Sequence, residues 1–177
     1  MENLIFKEKT HEERAIIRYY EKQVNQFNKS IIGKPAQWLI EAAAAICLDL
    51  TGFKHEIIIG DFQRHVIKRH GDITLHGKAT IVEADFTRIP DIVKTPNMAI
   101  IGATRKGRRY IVYAMTEPDM TYIYFEQIFG SHRNRVLRGS TFYKVTRPLV
   151  MDDIKRIVTR NEKTDISGAA VVSLGRA

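Results

Sequence analysis

The chain has 177 residues, 44% hydrophobic and 27% charged, with a formal net charge of +8 and a sequence pI near 9.6. This composition suits a globular domain with a polyanionic partner and excludes a disordered or collagen-like chain. The lone cysteine, Cys47, excludes an internal disulfide, and the longest apolar run, residues 42–48, is far too short to cross a bilayer.

The first residues, MENLIFKEKT, are charged throughout and lack a signal-peptide core, so a cytoplasmic protein is expected. In residues 10–32, Ile16, Ile17, Tyr20, Val24, Phe27 and Ile31 recur every three or four positions, which predicts one long helix. Gly33-Lys34-Pro35 stops that pattern and starts a second helix over residues 36–50, with Cys47 as a buried reduced thiol. Residues 1–52 are therefore expected to form a helical-hairpin appendage. It is electrically neutral, with seven Lys/Arg and seven Asp/Glu in residues 1–50. Residues 10–50 are a candidate surface for dimerisation or for an antitoxin, immunity or phage partner.

A short strand, HEIII, follows at residues 55–59. Asp61 then suits the N-cap of a helix over residues 62–70, which Gly71 closes. Residues 72–82 are a short strand or irregular, and residues 83–88 form a helical turn before Pro90 and Pro96. Three strands, at 98–104, 108–116 and 121–127, are separated by the turn sequences RKGR and EPDM and read as an antiparallel meander. A basic loop, GSHRNRVLRG, leads to a fourth strand at 140–146, an amphipathic helix at 148–161 and a loose tail at 164–177. The expected fold is α+β: an N-terminal helical hairpin, then a short helix followed by a four-stranded antiparallel sheet and a C-terminal helix. The main domain would span residues 53–163.

Positive charge is concentrated in the second half. Between Arg105 and Arg147 there are nine Lys/Arg against three Asp/Glu, a bias that favours phosphate ligands. Phosphate loops (GxGxxG, GxxxxGK[ST]), CxxC, HExxH and GxSxG are all missing from the sequence, so it suggests neither a cofactor nor a metal set. Phosphodiester cleavage by such a chain would fall to histidine, arginine, lysine and hydroxyl groups. Those groups can cut RNA by activating its 2′-hydroxyl.

The stretch DFQRHVIKRH at 61–70 holds two histidines and three fixed cations. At 100° per residue, Phe62, Val66 and Ile67 define an inward face that His70 shares, whereas His65, Lys68 and Arg69 point to the other side. The neighbouring cations favour the neutral, proton-accepting form of His65. An exposed histidine and a buried cap histidine are the plain structural alternatives. In the last strand, alternation puts Ser140 and Lys144 on one face and Thr141 and Tyr143 on the other. Either pair could meet substrate. The tyrosines of the meander read as half-buried sheet residues.

HxxxRHG at 65–71, then DFTRIPDIV, TPN, a three-stranded run with a basic turn, and finally RGSTFYKV occur in an order that resembles the phage-encoded branch of the barnase–EndoU–colicin–RelE nuclease superfamily. The resemblance covers about residues 55–150. It implies a helix followed by a four-stranded antiparallel sheet and a metal-independent ribonuclease of toxin or phage-effector type, leaving a 2′,3′-cyclic phosphate. An equivalent of barnase's catalytic glutamate is not evident, which leaves base duty to His65 or His70. Arg69 and Arg138 would stabilise the phosphorane, and a hydroxyl of Ser140, Thr141 or Tyr143 would position or protonate. Lys68, Arg105, Lys106, Arg108, Arg133, Arg135 and Lys144, with His132 beside them, would contact RNA. The alternative is a non-catalytic nucleic-acid-binding or virion-associated protein on the same basic scaffold.

Overall fold

A computed structural model describes residues 29–58, 60, 62, 65–67, 78–131 and 134–175. Eight strands among them join one mixed sheet: β1 (Lys29–Gly33), β2 (Lys54–Ile58), β3 (Lys78–Ala79), β4 (Met98–Arg105), β5 (Arg108–Thr116), β6 (Thr121–Ser131), β7 (Asn134–Val145) and β8 (Ala170–Ser173). Seven lie in one path, β1-β2-β7-β6-β5-β4-β8, and β3 pairs with β7 beside it. The pairing of β2 with β7 is parallel and the others are antiparallel. Helix α1 (Gln37–Ala44), a 3-10 segment (Glu83–Arg88), α2 (Ile89–Lys94) and α3 (Met151–Arg156) complete the described regular elements, and α3 runs on as a π-helical turn (Ile157–Asn161). Residues 60, 62 and 65–67 are helical as well.

The long strands form because Ile, Val, Tyr and Phe fill both pleat faces of β4 to β7, which marks a sheet covered on both sides. One face carries Ile57, Ile101, Ile111, Tyr113, Tyr124 and Phe142. It packs against Leu39 and Ala43 of α1, against Phe62 and Val66, and against Phe86, Ile89 and Ile92. The other carries Ile100, Val112, Ile123, Phe125 and Tyr143, which meet Leu149, Ile154 and Val158 around α3. Asp85 fixes the start of the 3-10 segment by accepting the Val82 N–H at 2.7 Å.

This architecture overturns the expected helical hairpin and four-stranded antiparallel sheet. Residues 29–33, read as the end of a long helix, are β1, in antiparallel register with β2 from Lys29 opposite Ile58 to Gly33 opposite His55. Ile31 and Ile32 fit the helical spacing of the preceding residues, but β-branched pairs also suit a strand, and β2 offers an edge to pair with. The rest of the predicted first helix, residues 10–28, lies outside the described residues. The second predicted helix forms as α1 but stops at Ala44. Cys47 beyond it is exposed, with a left-handed φ of 57°, rather than buried. The basic stretch read as a loop mostly extends a long β6–β7 hairpin, paired from Thr121 opposite Val145 to Ser131 opposite Asn134. The tail read as loose contributes β8, which pairs with β4 from Met98 opposite Ser173 to Ile101 opposite Ala170.

Candidate nucleic-acid cleft

β7 has two different partners on its outer edge. β2 pairs with it through Val136 to Arg138, and β3 through Lys144 and Val145. In the interval between them β7 bulges. Phe125 of β6 faces Thr141 and Glu126 faces Gly139, so Ser140 is the extra residue. The helical residues after β2 cross this interval, with Phe62 and Val66 buried in the core and His65 exposed. The result is a cleft of about 920 Å³ whose walls include Ile58, Phe62, His65, Arg138, Gly139 and Ser140. Its far wall is Arg105, Lys106, Arg108, Tyr110, Gln127, Glu162 and Lys163.

Two arginines in the cleft are held in the same manner. Arg138 donates from Nε to Glu56 Oε1 at 2.7 Å, and its guanidinium lies 4.5 Å from the Phe129 ring centroid. Glu56 is 3% exposed and Arg138 22%, so the carboxylate anchors and the guanidinium faces solvent. Arg105 donates from Nη1 to Glu162 Oε2 at 3.3 Å and sits 5.0 Å over the Tyr110 ring. Lys106 and Gly107, with φ of 50° and 72°, make the two-residue turn between β4 and β5 and carry Lys106 to the mouth of the cleft. A guanidinium between a carboxylate and an aromatic face keeps a fixed orientation while its remaining N–H groups can bind phosphate oxygens.

Six predicted residues therefore line one cleft: His65, Arg105, Lys106, Arg108, Arg138 and Ser140. Four others do not. Thr141 and Tyr143 alternate onto the α3 face, where Tyr143 packs against Phe125 with ring centroids 6.3 Å apart. Burial pushes the Tyr143 phenol well above its usual pKa, with the charge of Glu162 acting in the same direction. Lys144 turns to the opposite face and pairs with Asp85 at 2.9 Å, where Tyr122 also donates to Asp85 at 3.2 Å. Arg135 is exposed and donates to the Thr51 carbonyl at 2.9 Å. Lys68, Arg69, His70, His132 and Arg133 lie outside the described residues.

Three acidic positions were not singled out in the sequence. Glu56 and Glu162 orient the two arginines. Glu126, fully buried in β6, accepts from His55 Nδ1 at 2.9 Å and from the Tyr113 hydroxyl at 2.8 Å. The signal was present: Glu56 in KHEII and Glu126 in YIYFEQIF are carboxylates inside apolar strands, where a charged residue is buried only with a partner. Lys163, whose φ of 50° is left-handed, also reaches the cleft from the segment after α3.

A family model described as phage-Barnase-EndoU-ColicinE5/D-RelE like nuclease 3 matches residues 33–150. No curated protein and no solved structure matches the chain. Among the described residues no helix is long and apolar enough to cross a membrane.

Proposed function

The chain belongs to the phage-Barnase-EndoU-ColicinE5/D-RelE like nuclease family, and on that premise we propose that it is an endoribonuclease working without a metal through the ribose 2′-hydroxyl. His65 takes the 2′-hydroxyl proton, with His70 as the other candidate base. The 2′-oxygen then attacks phosphorus, and Arg138 offsets the charge gathering on the phosphorane oxygens. The P–O5′ bond breaks and the leaving oxygen recovers a proton from the imidazolium or from water. The ends are a 2′,3′-cyclic phosphate and a 5′-hydroxyl, with no net water consumed. Ser140, rather than Thr141 or Tyr143, supplies the hydroxyl that orients the phosphate.

The observation that carries this reading is the meeting of His65, Arg138 and Ser140 in one basic cleft. The test is incubation of end-labelled RNA with the protein in excess EDTA. The expected outcome is cleavage that leaves cyclic phosphate ends and falls by about 10²- to 10⁴-fold in His65→Ala. His65 is exposed, and a thermal melt of the variant separates loss of cleavage from loss of fold. Binding without cutting in the wild-type protein would instead establish a non-catalytic nucleic-acid-binding module.

A further inference from the structure

The family match ends at residue 150, yet the cleft does not. Glu162 and Lys163 come from the segment that follows α3, and this segment is fastened in place. Thr104 and Asp165 exchange two backbone hydrogen bonds of 2.8 Å, and β8 then pairs along β4. The fastening brings Glu162 to Arg105 and Lys163 to the same wall as Lys106 and Arg108.

Arg105 and Arg138 are held against different rings of the sheet. Phe125, Gln127 and Phe129 alternate onto one face of that strand. The Arg105 guanidinium lies 5.9 Å from the Phe125 ring, and that of Arg138 lies 4.5 Å from the Phe129 ring. Three residues lie between Phe125 and Phe129, which puts their backbones about 13 Å apart, and Gln127 among them lines the cleft. Arg138 lies on β7 and Arg105 at the end of β4, three strand spacings across the sheet or about 14 Å between backbones, so each guanidinium, held by its own carboxylate, can take a phosphate of its own.

We propose that Arg105, Lys106, Arg108 and Lys163 form a second phosphate-binding subsite, built by the segment beyond residue 150, that holds the backbone of a polynucleotide strand whose reacting phosphate lies at Arg138. Glu162 is a positioning residue. It takes the Nη1 end of Arg105 and leaves a local balance of four cations to one carboxylate. The ligand class is an oligonucleotide long enough to reach both anchors, rather than a mononucleotide. The inference rests on the nuclease reading of the same cleft but assigns a different part of it.

The test uses a fluorescein-labelled 2′-O-methyl RNA octamer, which cannot be cut through a 2′-hydroxyl, and measures anisotropy against salt concentration. Arg105→Ala and Arg138→Ala are each expected to weaken binding about tenfold and to lower the salt slope by about one. The double substitution should multiply the two losses, to about a hundredfold. Glu162→Ala should weaken octamer binding with little effect on a 2′-O-methyl uridine monophosphate probe, and Glu162→Gln should restore most of it. A double variant no weaker than either single one, or octamer binding indifferent to Arg105 and Lys163, overturns the second subsite. Removing Arg138 strands the buried Glu56, so Glu56→Gln with Arg138→Gln provides the same comparison if Arg138→Ala does not fold. Cleavage of ordinary RNA is scored separately. Two-anchor binding without cleavage removes only the ribonuclease reading, and cleavage with one-anchor binding removes only the second subsite.

Discussion

At the scale of single residues, the buried polar groups carry the largest consequences. Glu126 is the shared acceptor for His55 and Tyr113, all three at 2% exposure or less. Removing one member of such a set leaves the others desolvated without a partner. Glu126→Ala is expected to destabilise the fold by about 3–5 kcal/mol in urea unfolding, with Glu126→Gln recovering part because its amide oxygen still accepts. The tyrosines make stability fall in alkali. Burial pushes Tyr113 and Tyr143 well above the usual phenol value, helped by the charges of Glu126 and Glu162 respectively. Burial, then the Asp85 carboxylate, brings Tyr122 to about 12. Below pH about 10 these phenols are neutral in both states. Above it the unfolded chain ionises first, so stability declines as pH rises from about 10, through about 12 for Tyr122. Absorbance titration at 295 nm should show Tyr113 and Tyr143 silent until the protein unfolds and Tyr122 titrating only near pH 12. Normal titration near pH 10 in the folded protein would contradict the burial argument.

Among the elements, β7 decides the geometry of the site. A Cβ on Gly139 would come within 2.6 Å of the Tyr124 hydroxyl oxygen and 3.3 Å of Ile57 Cγ1. Tyr124 cannot retreat, being packed edge-on to Phe62 and Phe142 and stacked on Tyr113. Gly139→Ala should therefore cost about 1–3 kcal/mol and shift Arg138 and Ser140, lowering affinity for the 2′-O-methyl octamer. Unchanged melting temperature and affinity would rule this out. Legibility in the sequence also divides by element. The meander of β4, β5 and β6 was readable because local turn residues and apolar runs determine it, whereas Pro90, read as a break after the helical turn at 83–88, sits in the first turn of α2. β1 and β8 are short, and their pairing depends on distant partners that no local window contains, while β3 falls within residues 72–82, read as a short strand or irregular. The site was half readable. Alternation grouped Ser140 with Lys144 and Thr141 with Tyr143, but it could not say which face was core. Lys144 shares Ser140's predicted face and is nevertheless tied to Asp85, because the bulge at Ser140 interrupts the regular alternation.

For the whole molecule, the first and last described strands, β1 and β8, close the two ends of one sheet. A chain ending at Asn161 would lose β8, Glu162 and Lys163 together and leave the β4 edge unpaired. Such an edge recruits other strands, so this truncated chain should self-associate in light scattering, whereas the full chain should not. A monodisperse truncated form would show that β8 is dispensable as an edge cover. The placement of β8 also sets an order of events during synthesis. His65, Arg105 and Arg138 leave the ribosome well before residues 162–173, and the hairpins of β4 to β7 can pair as soon as they emerge. A nascent chain therefore holds its candidate base and its first anchor while the second anchor is still unclamped. On the proposed two-anchor reading, the cleft reaches its full grip on a polynucleotide only after β8 has been made, which separates the birth of the protein from its hold on its ligand.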